Sequence, residues 1–129
     1  MSELERVREF FRNDRYATEN GAVIEEVGDH YAKCSIVLTD RHKNAVGGIM
    51  GGVYFTLADF TFAVATNRQE PGTVSITGDI SFIGVPKGNK IIGETELIKN
   101  GRTISCYNVR ITDEFGTKVA AVKMVGYRK

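Results

Sequence analysis

Residues 53–65 read VYFTLADFTFAVA. The run is apolar on nearly every side, and its β-branched and aromatic residues make a strand the competing assignment. Its length and lack of strict alternation predict a helix buried on most of its faces. Gly51-Gly52 immediately before it lets the chain turn tightly into that helix. The run is too short to span a bilayer, which takes about 20 residues, and it carries a carboxylate, Asp59. A helix this apolar has to be wrapped, and the flanking sequence supplies strands.

On the N-terminal side, Ser2 and Glu5 form a capping box, and Leu4, Val7, Phe10 and Phe11 follow at helical spacing. This predicts a short amphipathic helix ending near Asn13. Asn20-Gly21 marks a turn, residues 22–27 a first strand, and Gly28-Asp29 a break. Ala32, Cys34, Ile36 and Leu38 then alternate with Tyr31, Lys33, Ser35 and Val37, the period of a strand with one buried face. Residues 39–48 (TDRHKNAVGG) form a polar, Gly-rich loop.

Beyond the helix there are only strand signals. Val74, Ile76, Gly78, Ile80 and Phe82 alternate with Thr73, Ser75, Thr77, Asp79 and Ser81. Pro86-Lys87-Gly88-Asn89 turns the chain into a run at 91–98. Asn100-Gly101 is a hairpin signal leading into 103–112, and 113–116 turns into 118–127. Short turns imply that these four strands are antiparallel. The expected architecture is α+β: one domain over 1–129, an antiparallel six-stranded sheet around one central helix, with a short helix at the N-terminus.

Composition narrows the function classes. The 129 residues carry 17 Lys+Arg against 16 Asp+Glu, a formal net charge of +1, and 42% are hydrophobic. Such a chain suits one globular domain. The balance gives no whole-chain pull toward nucleic acid or an anionic membrane. The N-terminal residues lack the apolar core of a signal peptide, so the default location is cytoplasmic. Cys34 and Cys106 sit at alternating strand positions and are expected as buried reduced thiols. With no CxxC and no Cys/His cluster, a structural zinc site is not expected.

Asp59 is the most informative residue. A carboxylate in an apolar helix is costly to bury unless it is paired or functional. One possibility is a cap or ion pair with a loop or strand; the other is a general base or nucleophile whose pKa is raised by desolvation. Gly47, Gly48, Gly51 and Gly52 are either a flexible entry loop or an arrangement that leaves backbone N–H groups free at the helix start for a developing negative charge. Neither GxGxxG nor GxxxxGK[ST] is present. Gly51 and Asp59 are eight residues apart, about 12 Å along a helix. Both can reach one carbonyl most easily if they come from different chains, which predicts a homo-oligomer with sites at its interface.

Serine–histidine chemistry has little support. His30 and His42 are the only histidines and no GxSxG is present. His30 is expected at an exposed strand start, and His42 in the loop beside Asn44. Arg41, Lys43, Arg68, Lys87, Lys90 and Arg102 flank turns, as solvated surface or as a set gathering around nucleotide phosphates.

The segment 44–67 (NAVGGIMGGVYFTLADFTFAVATN) and the strands after it resemble the hotdog-fold acyl-CoA thioesterases, most closely their phenylacetate-degradation (PaaI-like) branch. The resemblance runs from about Tyr16 to the C-terminus. It implies that Asp59 activates the attacking water or is the nucleophile, that the Gly51 N–H polarises the thioester carbonyl, and that Asn44 is the site asparagine. Ser75 is the best match for a hydroxyl that assists the aspartate, with Thr73 and Thr77 as alternatives. Met50, Gly52 and Thr77 would line the substrate, and Lys87 and Arg102 would meet the CoA phosphates.

The resemblance further implies an acyl-CoA thioester as substrate, no metal or redox cofactor, and dimers, often paired into tetramers, with Asn and Gly of one subunit facing the Asp of its partner. One departure stands out. The family commonly reads His-Gly-Gly where this chain reads Met50-Gly51-Gly52, a thioether in place of an imidazole. A non-catalytic acyl-CoA binding protein on the same fold is therefore the alternative. Hydration or dehydration of an acyl thioester is a third possibility, disfavoured because Asp59 has no evident histidine partner.

Overall fold

The computed structural model describes residues 1–129. In chain order the elements are α1 (Glu3–Phe11), α2 (Arg15–Glu19), β1 (Val23–Gly28), β2 (Tyr31–Val37), a 3-10 turn (Asp40–His42), α3 (Gly51–Asn67), β3 (Thr73–Phe82), β4 (Lys90–Asn100), β5 (Ile104–Asp113) and β6 (Lys118–Arg128). The capping box at Ser2 and Glu5 is present in both directions. The short α2 was not expected, because a single turn is too brief to show periodicity; an Arg15–Glu19 pair at i,i+4 supports it.

All six strands form one sheet in the order β1-β2-β4-β5-β6-β3, with every pairing antiparallel. The antiparallel expectation for the last four strands holds, and the order adds a crossing. β3 and β4 follow one another in sequence but are not neighbours, since β3 pairs with β6 at the sheet's edge. The link between them is held by Asp113, whose carboxylate accepts from the backbone N–H of Lys87 (2.7 Å), Gly88, Phe115 and Thr117.

The sheet wraps α3. Leu57, Ala58, Thr61, Phe62, Val64 and Ala65 are buried on it, and Leu57, Ala58, Thr61 and Val64 are wholly inaccessible. Burying a side chain such as Leu57 contributes about 2 kcal/mol. Close approach requires glycine on the sheet: a methyl group at Gly78 (β3) would fall 2.7 Å from the Phe55 ring, and one at Gly126 (β6) 2.6 Å from Phe62. α1 and α2 close the remaining side. Phe11 meets Phe60 edge-on at 6.0 Å, and the Arg8 guanidinium donates to the Ile24 carbonyl.

A β-bulge decides which side of β3 faces the helix. Ser75 pairs with Gly126 and Thr77 with Val125, so Ile76 is the extra residue. The helix-facing set is therefore Thr73, Ser75, Gly78, Ile80 and Phe82. Strict alternation, which put Val74 and Ile76 with Gly78, fails at this point: those two side chains are 39% and 53% exposed.

Three smaller expectations are refined. Cys34 is buried and Cys106 only half-buried; both are free. His30 occupies the β1–β2 turn with φ 53°, half-buried rather than at an exposed strand start. His42 is a satisfied core histidine, with Nδ1 accepting from the Thr39 N–H (3.0 Å) and Nε2 donating to the Asn20 carbonyl (2.7 Å). No helix is long and apolar enough to cross a membrane.

Candidate active site

The sheet and the N-terminal helices leave one stripe of α3 partly open: Gly52, Phe55, Thr56 and Asp59. Asp59 is half-buried, and neither a cation nor a backbone donor pairs with it in the chain. Its carboxyl is raised above the ordinary aspartate range. Burial is the largest cause, the Ser75 hydroxyl facing it pulls the other way, and the charge of Asp14 pushes it further up. The ion-pair alternative for Asp59 therefore has no partner here, while the desolvated base or nucleophile has the environment it needs.

The bulge selects among the hydroxyl candidates. Ser75 shares the helix-facing side with Asp59. Thr77 does not: it pairs with Val125 on the outer face, so neither assistance to Asp59 nor lining of substrate beside α3 is open to it within this chain. Thr73 is buried further along, against Gly126.

At the helix start, Met50 is the N-cap in extended conformation and its side chain makes no capping hydrogen bond. The Gly51 and Gly52 N–H groups have no acceptor in the chain, whereas Val53 N–H bonds back to the Met50 carbonyl. Two unpaired donors at the positive end of a 17-residue helix suit a developing oxyanion. Phe82 covers Gly51 closely, its ring 3.0 Å from where a methyl group at Gly51 would lie. Met50 and Gly52 line a small cavity between α2 and α3, about 100 Å³, together with Tyr16, Val53 and Thr56.

Asn44 is exposed in the loop before α3. Its Oδ1 accepts from the Val46 and Gly48 N–H groups at 3.0 and 3.1 Å, so the side chain shapes the loop while its amide N–H groups have no acceptor in the chain. Among the basic residues, Lys43 pairs with Asp40, Lys90 with Glu25, and Arg68 with Glu3 and Asp29, while Arg41 donates to the Glu19 carbonyl. The side chains of Lys87 and Arg102 form no ion pair, but they lie at opposite ends of β4, an 11-residue strand. The strand alone spans about 33 Å at roughly 3.3 Å per residue, so one chain does not bring both to one phosphate.

The structure thus brings Asp59 and Ser75 together and leaves Gly51 two helical turns away. Residues 46–120, more than half of the chain, match the model of the thioesterase superfamily. The chain belongs to that superfamily.

Among the thioesterase relatives, a protein of Archaeoglobus fulgidus bearing only the provisional name of an esterase is 28% identical over 127 residues, 97% of this chain and 82% of that protein. Human acyl-coenzyme A thioesterase 13 is 30% identical over 92 residues, 68% of this chain and 65% of the human protein. The E. coli PaaI protein from the phenylacetic acid degradation operon superposes with a TM-score of 0.89 at 22% identity, over 99% of this chain and 96% of that one. The fold is the thioesterase hotdog, a sheet wrapped around a central helix.

Proposed function

We propose that this thioesterase hydrolyses an acyl-CoA thioester with an aryl or medium-chain acyl group, and that each active site is shared between two copies of the chain. The observation that carries the proposal is the half-buried, unpaired Asp59 carboxylate on the central helix, beside Ser75 and two turns from the unpaired Gly51 N–H. The human relative's name, an acyl-coenzyme A thioesterase, supports the substrate class.

As general base, Asp59 takes a proton from water while the oxygen attacks the thioester carbon. The carbonyl oxygen becomes an oxyanion against the partner chain's Gly51 N–H. Collapse breaks the C–S bond, and the proton on Asp59 passes to the departing thiolate, giving free acid and CoA thiol. As nucleophile, Asp59 would instead displace the CoA thiolate, breaking the C–S bond to form a mixed anhydride, which water opens to free acid and the Asp59 carboxylate, its proton going to the thiolate. Ser75 orients the carboxylate in either case, and the Asn44 amide meets the thioester region. Met50 and Gly52 line the acyl side, and Lys87 or Arg102 from different chains meets the CoA phosphates.

Sharing between chains follows from reach. Gly51 and Asp59 on one helix are about 12 Å apart, too far for one carbonyl. The free edge of β3 and the open stripe of α3 lie side by side and expose Val74, Ile76 and Phe82. A second copy pairing there covers these side chains and sets the two helices next to each other. The two free thiols suit a reducing compartment such as the cytoplasm.

Thiol release followed over a panel of aryl and aliphatic acyl-CoAs, for wild type and Asp59→Asn together, tests the proposal. Turnover of one class that the substitution abolishes supports it, and a wild-type rate in Asp59→Asn contradicts it. A second possibility rests on Met50, which offers no hydrogen bond at the helix start: binding of acyl-CoA without turnover. Saturable binding, no thiol release and gain of activity in Met50→His would favour that version.

A further inference from the structure

We propose that the end of α3 away from Gly51 carries a second binding site, a polar cavity that takes a small zwitterion of amino-acid type. Its carboxylate meets Tyr107 and Arg128, and its ammonium meets Glu70 and the last carbonyls of α3. The site does not rest on the chemistry assigned to Asp59.

The cavity lies where the sheet closes over the C-terminal end of the central helix. It measures about 220 Å³ and is walled by the β1–β2 turn (Asp29, His30), the last turn of α3 and residues 68–70 after it, Tyr107 of β5 and Arg128 of β6. Ala65 on that wall is 14 residues beyond Gly51, about 21 Å along the helix, so the two ends of α3 serve different places.

Tyr107 is the deepest polar group. Its side chain is 1% exposed, and its ring stands edge-on to Phe62 at 5.5 Å. Its hydroxyl bonds to nothing in the chain, yet no enclosed side-chain oxygen or nitrogen lacks a partner. The hydroxyl is therefore the point at which this residue reaches the cavity. Burial raises the phenol above its ordinary range, so at neutral pH it keeps its proton and donates. Packing against Phe62 asks only for the ring; a phenylalanine would fill this place without an unpaired hydroxyl.

Two charges around it are also uncommitted. Arg128 donates only to neutral acceptors, the Arg102 carbonyl and the Asn100 side chain, and pairs with no carboxylate. Glu70 is exposed and joins no ion pair or hydrogen bond. The other charges on the wall answer one another: Arg68, 12% exposed, is tied to Glu3 and, at 3.6 Å, to Asp29, which also has His30 beside it at 3.7 Å. Before Glu70, α3 ends in carbonyls that receive no hydrogen bond in the chain, the negative end of the helix dipole. Donors thus come from the sheet side and acceptors from the helix side. A lone anion would face Glu70 and a lone cation Arg128, whereas a molecule carrying both charges answers each. At about 220 Å³ the cavity falls below the roughly 300–1,000 Å³ of drug-sized sites, which limits the ligand to amino-acid size.

The test is NMR titration of the isotope-labelled full chain with L-serine, L-glutamine and L-lysine, with acetate and ethylammonium as single-charge probes. The expected result is saturation by at least one amino acid below about 10 mM, with amide shifts clustered at residues 29–30, 65–70, 107 and 128. Tyr107→Phe, which keeps the ring on Phe62, should weaken that binding about tenfold or more, as should Arg128→Gln and Glu70→Gln, with thermal melts showing each variant folded. Asp59→Asn should bind as wild type does. No saturation by any amino acid, acetate binding as tightly as the amino acids, shifts clustered elsewhere, or wild-type binding in Tyr107→Phe each overturns the proposal. Loss of binding in Asp59→Asn would place the ligand in the active site and overturns it too. The titration involves no turnover, so failure of Asp59 to act in thiol release is a separate result.

Discussion

Asp59 sits where the needs of folding and chemistry oppose each other. Its carboxyl is raised in the folded chain, chiefly by burial. For an acid with a raised folded pKa, the native state binds the proton more tightly than the unfolded one, so stability is fully present below the unfolded value, about 3.9, and is lost as pH rises through the folded value. Asp59→Asn removes that penalty. We expect it to melt higher than wild type at neutral pH, with the gap closing in acid, while kcat falls by about 10²-fold or more. Thermal melts across pH and thiol release check the two halves. Gly51→Pro is the companion. Proline is tolerated at the first position of a helix, and Met50 already has the extended backbone that precedes proline. Phe82, 57% exposed, can give way to the ring. The expected result is a folded protein with kcat lowered about 10²- to 10³-fold, the loss of one oxyanion donor.

At the scale of elements, the central helix, the two strands before it and the four after it were legible in the sequence, because periodicity and turn residues are local signals. What escaped was set by partners remote in sequence. One bulge at Ile76 turns Ser75 toward Asp59 and Thr77 away, and no feature of the run 73–82 announces it. The same limit hid the crossing from β3 to β4, whose anchor is a side chain on β5. Burial pushes the Asp113 carboxyl up, but donation from the Lys87, Thr117 and Gly88 backbones and the Thr117 hydroxyl outweighs it and holds the group far below the usual range. A depressed folded pKa means stability present above about pH 3.9 and lost as pH falls toward the folded value. Asp113→Asn should therefore lower the melting temperature at pH 7, with the difference shrinking below about pH 4. The glycines that let α3 approach the sheet are equally specific. Gly126→Ala sets a methyl group against the buried Phe62 ring and should cost about 1–3 kcal/mol in denaturant unfolding.

For the whole molecule, the candidate residues were legible one by one in the sequence, but their assembly was not. Asp59, Gly51 and Asn44 are visible as candidate chemistry, yet the chain sets Gly51 and Asp59 two helical turns apart, and the proposed shared site needs a second copy on the exposed edge of β3. Lysine at Ile76, on that edge, should give a folded monomer without activity, as sedimentation and thiol release would show. The most direct measurement is complementation between the two inactive variants. Asp59→Asn and Gly51→Pro chains are mixed, exchanged and assayed for thiol release. If every site takes Asp59 from one chain and Gly51 from the other, a mixed dimer has one intact site, and an equal mixture recovers roughly a quarter of wild-type activity. If the site lies within one chain, both kinds of chain stay dead in every pairing, and an inactive mixture would contradict the shared site.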